Sequence, residues 1–149
     1  MLIRRVLLAA LIAGLMGCVA TMPQQQRTYA SLSPEELYPT LEAILLRRGY
    51  QIDTRDYTRG HIATAWRETS GERKGLATWR QQRKYQVWFD IDRFNSKRHM
   101  LVLSLSVQER APIAADWREK KVDTTQDMEY QEILSELDSL VRAKGGLLS

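Results

Sequence analysis

Few side chains in this sequence have the type and the setting to do chemistry, and the first of them is its single thiol. Cys18 follows Leu15-Met16-Gly17 at the end of a short apolar stretch, Val6 to Met16, which is preceded by Arg4 and Arg5. A positive start, an apolar run too short to span a bilayer and a small residue at the cut are the parts of a secretory signal. The other candidates are weaker. His61 and His99 each stand at the start of an expected strand, a whole hairpin apart, with no HExxH, no CxxC and no acidic partner at ligand spacing. Strand-end histidines of this kind are expected to be exposed. Ser104 and Ser106 lie on a strand without the GxSxG turn that presents a nucleophile. Asp90 and Asp92 share an outward strand face, where neighbouring carboxylates are commonly solvated rather than set up as acid and base. Thr58-Arg59-Gly60 and Gly71-Glu72-Arg73-Lys74-Gly75 are too short for a phosphate loop and follow no strand-to-helix pattern. The expectation is a chain with no catalytic residue, no metal and no cofactor.

The run Leu15-Met16-Gly17-Cys18 resembles the lipobox of bacterial lipoproteins, with Met16 where a small or hydroxyl residue is more usual. The resemblance implies that the Cys18 thiol receives a diacylglycerol, that the signal 1–17 is removed in front of it, and that the new amino terminus is acylated. One acyl chain binds a bilayer marginally and several hold firmly, at roughly 0.8 kcal/mol per buried methylene. Val19, rather than aspartate, after the cysteine implies outer-membrane sorting by the pattern of enteric bacteria, with the domain on the periplasmic face. The alternatives are a plain secretory signal with a chance cysteine, or an N-terminal anchor helix.

Cleavage leaves Cys18 to Ser149, 132 residues, the usual size of one domain. Losing Arg4 and Arg5 takes the net charge from +4 to +2, so the pI of 9.4 overstates how basic the working protein is. Neither charge nor compartment argues for nucleic acid. With the only thiol acylated there is no intrachain disulfide, and stability rests on packing even in an oxidising compartment. Residues 18–32, containing Met22-Pro23-Gln24-Gln25-Gln26-Arg27, are polar without apolar period and read as a flexible tether that keeps the domain near the headgroups.

The elements that must position any surface follow from period and caps over 33–149. Ser33, Pro34 and Glu36 start a helix that carries Leu37, Leu41, Ile44 and Leu45 on one stripe and ends at Gly49 after Arg47 and Arg48. From Tyr50 the period is two. Tyr50 and Ile52, then Ile62, Thr64 and Trp66, make a hairpin across Asp56 to Gly60. Ser70 to Thr78 reads as a mobile loop. Tyr85, Val87, Phe89 and Ile91 then pair with Leu101, Leu103, Leu105 and Val107 across a turn at Asn95-Ser96, both sets facing the core. Ala111 to Val122 is a loop or a short edge strand. Thr125 or Asp127 caps a last helix with Tyr130, Ile133, Leu134, Leu137, Leu140 and Val141 in line, stopped by Gly145-Gly146. The fold class is α+β, order α-β-β-β-β-α: a four-stranded antiparallel sheet, five with the edge strand, and two helices on one face.

Arg48-Gly49-Tyr50-x-Ile52, Asp56 and Gly60-x-Ile62-x-Thr64-x-Trp66, followed by a long hairpin and a terminal helix, resemble the helix-grip domains of BamC, the lipoprotein of the bacterial β-barrel assembly machinery. That family carries two such domains and a long amino-terminal segment, where this chain has one domain and a short tether. The resemblance implies an envelope lipoprotein, acting as a non-catalytic interaction or assembly module in outer-membrane biogenesis. Residues that the core does not claim mark the surface for an envelope protein partner: Trp79, Arg80, Trp117 and Arg118, since exposed tryptophan and arginine are typical anchors. The contrasting reading is a carrier for a lipid-like ligand, with a cavity lined by Leu41, Leu45, Phe89, Leu103 and Leu137.

Overall fold

Ser33 and Glu36 begin the first helix as their order predicts, the Ser33 N–H donating to the Glu36 carboxylate at 2.9 Å. A computed structural model of the chain describes residues 24–91 and 98–148. The elements are β1 (Gln24–Ala30), α1 (Pro34–Arg47), β2 (Ile52–Asp56), β3 (His61–Thr64), β4 (Arg67–Thr69), β5 (Arg73–Lys74), β6 (Ala77–Thr78), β7 (Arg80–Ile91), β8 (Arg98–Arg110), β9 (Arg118–Lys120), α2 (Met128–Ala143) and β10 (Leu147–Leu148). Both helices stop alike. Gly49 and Gly145 take φ of 81° and 83°, and the next residue closes the turn, Tyr50 N–H to the Leu45 carbonyl at 3.0 Å and Gly146 N–H to that of Val141 at 2.9 Å. The cap of α2 is Asp127, whose carboxylate accepts from Tyr130 N–H at 2.9 Å.

The sheet is antiparallel, in the order β10-β1-β8-β7-β3-β2, with β4 also on β7 and β9 also on β8. Each long central strand therefore has two short neighbours set end to end along its outer side. The β7–β8 register runs unbroken from Arg80 opposite Arg110 to Ile91 opposite His99. It sets Tyr85 against Leu105, Val87 against Leu103 and Phe89 against Leu101, and all six are buried. These side chains share one core with Leu37, Leu41, Ile44 and Leu45 of α1 and Ile133, Leu134, Leu137 and Val141 of α2. Both helices thus lie on the face bearing Tyr85, Val87 and Phe89. Residues between these, such as Trp88, point the other way.

The structure corrects three expectations. The sheet has eight strands rather than four or five. The segment read as a tether to residue 32 is, from Gln24, strand β1, and Tyr29 and Leu32 are core residues, so Gln24 to Leu32 belong to the domain rather than to a tether ahead of Ser33. Its polar sequence hid it because β1 is held by polar partners: Gln25 N–H donates to the Tyr130 hydroxyl at 2.8 Å, Tyr29 donates to Asp138 at 2.7 Å, and Arg27 lies 3.6 Å from the same carboxylate. Ser70 to Thr78 is a tight hairpin, β5 on β6, turning at Gly75-Leu76. The stretch from Ala111 to Val122 contains the short edge strand, β9. Among the described residues no helix is long and apolar enough to cross a membrane. Cys18, the signal 1–17, Asp92 and the Asn95-Ser96 turn lie outside the described residues.

Candidate functional site

The two faces of the β7–β8 hairpin have different chemistry. On the helix side, Tyr29, Tyr50, Tyr85 and Tyr130 are completely buried, yet each hydroxyl has a partner. Around Tyr50 and Tyr85 lies a network joining β4, β7, α2 and the end of α1. Glu129 in the first turn of α2 accepts from Tyr50 at 2.8 Å and from Arg67 at 2.7 Å, and stands 3.0 Å from Arg83. Arg83 also pairs with the capping Asp127, and Arg67 donates to the Arg48 carbonyl at the end of α1. Burial, then the Glu129 carboxylate, pushes the Tyr50 phenol up to about 12. Burial likewise raises Tyr85. These groups stay un-ionised near neutrality and lock the helices to the sheet. Arg83, a residue type expected at the surface, belongs to this interior: it shares strand parity with Tyr85, and that alternation was the available signal.

Among the described residues no helix lies over the opposite face. One rung crosses five strands there: Gln26, Val102, Trp88, His61 and Asp56 are successive Cα partners. Trp88 is 44% exposed and stacks on the His61 ring at 3.8 Å and 13°. Burial lowers the His61 pKa, with Asp56 opposing and Lys84 reinforcing the shift. The next rung pairs Gln86 with Ser104 and with Ala63. The centre of this face is therefore an aromatic and aliphatic strip between amide and hydroxyl side chains, a composition suited to docking rather than to bond making.

The four residues expected to anchor a partner gather at one end of the sheet, where β7 begins and β8 ends, but on two sides of it. Arg80 is opposite Arg110 and pairs with Glu68 at 2.5 Å, while the Arg110 guanidinium lies 4.8 Å over the Trp117 ring. Those residues border the open face. Trp79 lies under Lys74, 4.4 Å from Nζ to the ring centre, and Lys74 donates to Glu109 at 2.8 Å. Arg118, opposite Glu109, is exposed. Both tryptophans are half-buried beneath a cation, a contact worth about 0.5–1 kcal/mol at such sites.

His61 is half-buried under Trp88 and His99 is 2% exposed, so neither is the exposed strand-end histidine expected; both sit within the sheet because each lies opposite a full neighbouring strand. Ser104 is buried and Asp90 exposed. Among the described residues no three His, Cys, Asp or Glu side chains converge as a metal site would require. An open cleft of about 280 Å³ lies between β7, β9 and the start of α2, lined by Gln81, Arg83, Lys120, Val122 and Asp127 among others. Of its cations, Arg83 is engaged with Asp127 and Lys120 with Glu72, while Lys121 is exposed. Leu41, Leu45, Phe89, Leu103 and Leu137, the lining proposed for a carrier, all belong to the packed core.

No family model and no curated protein matches the chain. Among solved structures it is similar to a DUF4468 family protein from Bacteroides ovatus, at 12% identity and a TM-score of 0.41, over 85% of this chain and 90% of that one. It is also similar to a TBP-like protein from Parabacteroides distasonis, at 8% identity and a TM-score of 0.38, over 82% of this chain and 87% of the other.

Proposed function

We propose that the chain is a lipid-anchored envelope protein of the outer membrane that acts as a non-catalytic docking module, holding a protein partner on its open sheet face in the manner expected of an assembly component such as BamC. The observation that carries this reading is Trp88, 44% exposed on the His61 ring at the centre of a face that neither helix covers. An amphipathic aromatic left half in water, flanked by Val102 and Gln26, is the usual composition of an interface centre. Arg80, Arg110 and Trp117 extend the face at one end, and Trp79 and Arg118 lie around the corner from it. The filled core supports docking over carriage, because the side chains that would line a ligand cavity pack on one another.

The test is a photo-reactive amino acid placed at Gln26 in the lipidated protein in intact cells, with Ser135 on the exposed side of α2 as control. A discrete cross-linked species from position 26, absent from 135 and lost with Trp88→Ala, is expected. Equal products from both positions would reject the open face as a docking surface.

A further inference from the structure

The end of the sheet where β7 begins carries a second kind of exposure. Leu76, at the β5–β6 turn, and Ile113, in the turn closed by Ala114 N–H on the Ala111 carbonyl at 3.1 Å, are each 99% exposed. Single exposed aliphatics are ordinary, but these lie in two connections, β4 to β7 and β8 to β9, that leave the large sheet at the same end. The segments that form this end, 72–80 and 109–121, hold seven Lys and Arg side chains against four Asp and Glu, a net of three positive charges. That exceeds the net +2 of residues 18–149, so the rest of that chain is slightly negative. Arg73, Arg118 and Lys121 are exposed there, and Trp79 and Trp117, in the same two segments, are half-buried. Exposed aliphatics, half-buried tryptophans and a surrounding set of cations are the components that suit a lipid headgroup boundary.

The path of the chain points to the same end. β1 is antiparallel to β8, with Gln24 opposite Ser104, so the chain enters the domain from the side on which β8 runs on to Arg110. From Ser104 to Arg110 is six residue steps, about 20 Å along a strand. From Cys18 to Gln24 is also six steps, a reach of about 20 Å when extended. Six residues between an acylated Cys18 and Gln24 are therefore long enough to span to the level of Arg110 at this end of the sheet.

We propose that this end of the sheet is a membrane-seating surface, with Leu76 and Ile113 entering an anionic phospholipid leaflet and Arg73, Arg118 and Lys121 meeting its headgroups. The proposal rests on the lipid-anchored reading for its geometry but not for its chemistry, which the domain carries by itself. Seated so, the sheet stands on its end, and the open face bearing Trp88 looks sideways along the membrane, clear of lipid.

Full-length protein carrying Leu76→Cys or Ile113→Cys, labelled with a polarity-sensitive dye, is reconstituted in phosphatidylethanolamine and phosphatidylglycerol vesicles, with Ser135→Cys as control. Fatty-acid labelling of the same preparation reports whether Cys18 is acylated. Blue-shifted emission, quenched by a lipid-borne nitroxide, is expected at 76 and 113 and not at 135. Acylated protein whose dyes at 76 and 113 match the control would overturn the proposal and leave the anchor standing. Unacylated protein whose dyes still shift when vesicles are added would support the seating surface while the anchor reading fails; no shift there would end both. A shift in native membranes but none in pure lipid would mean a protein contact instead and would also overturn the proposal. For the Cys18→Ser chain, each of Arg73→Gln, Arg118→Gln and Lys121→Gln should weaken vesicle affinity about fivefold.

Discussion

The two faces of the β7–β8 hairpin are made from alternate residues of the same two strands, yet they spend their side chains differently. The helix face buries Tyr85, Val87 and Phe89 completely or nearly so and satisfies its phenols, whereas the open face leaves Trp88 44% exposed on a histidine. A sheet covered on one side needs only one face for stability. The other is released from that demand, and its exposed aromatic is what the proposed docking role draws on.

The contrast is broken most severely from the helix side. Leu103→Ala and Phe89→Ala should each lose about 2–5 kcal/mol of folding stability, as truncations in a filled core do. Denaturant melts of the purified proteins measure this, and losses below about 1 kcal/mol would mean the faces are assigned the wrong way round. Glu129→Ala comes next, at about 2–3 kcal/mol, because it removes the carboxylate paired with Arg67 and leaves Arg83 with Asp127 alone; the figure is kept below that of a fully buried pair because Arg67 retains 31% exposure. Glu129→Gln, which keeps a hydrogen-bond acceptor for Tyr50, should recover part of that loss in the same melts.

The open face is far more tolerant. Trp88→Ala should cost about 1 kcal/mol or less, since the ring is half in water and packs on one side only. A loss equal to that of Leu103→Ala would show that this face is core too. The smallest effect sharpens the comparison through pH. His61 has a folded pKa below its ordinary value of 6.5 because burial disfavours the charged ring. Its contribution is therefore complete above about pH 6.5 and declines as the pH falls, since the unfolded chain takes up the proton first. Stability measured between pH 7 and 5 should fall less steeply in His61→Gln than in the parent; identical slopes would place the titration elsewhere.

The main hairpin and both helices were legible because burial there is apolar and periodic. Tyr85 to Phe89 and Leu101 to Val107 alternate cleanly, and Gly49 and Gly145 mark the helix ends. β1 was not legible, because apart from Tyr29 it is tied to α2 by polar contacts, the Gln25 backbone N–H on the Tyr130 hydroxyl and the Arg27 guanidinium beside Asp138, which leave no apolar alternation in the sequence. The interior ion network escaped for the related reason that Arg83 and Glu129 look like surface residues until they are seen to neutralise each other. At the candidate site, the grouping of Trp79, Arg80, Trp117 and Arg118 at one end followed from expected strand ends. Their division between two sides, and the cations over both tryptophans, depend on a register that no local pattern encodes.

The end-to-end placement of short strands beside β7 and β8 also bears on how the protein behaves in a crowd. An open sheet invites its own copies to add strands along an uncovered border and grow into polymers. Here the border facing outward from β7 is interrupted at Ala65-Trp66 between β3 and β4, and the outermost strand, β2, carries a register shift between Ile52 and Thr54 and the charged Asp53, Arg55 and Asp56. On the far side β10 caps β1 at Tyr29 and Ala30. Among the described residues these borders offer only short runs for pairing, Gln24 to Thr28 of β1 and the irregular β2, which works against neighbouring copies zipping into fibrils.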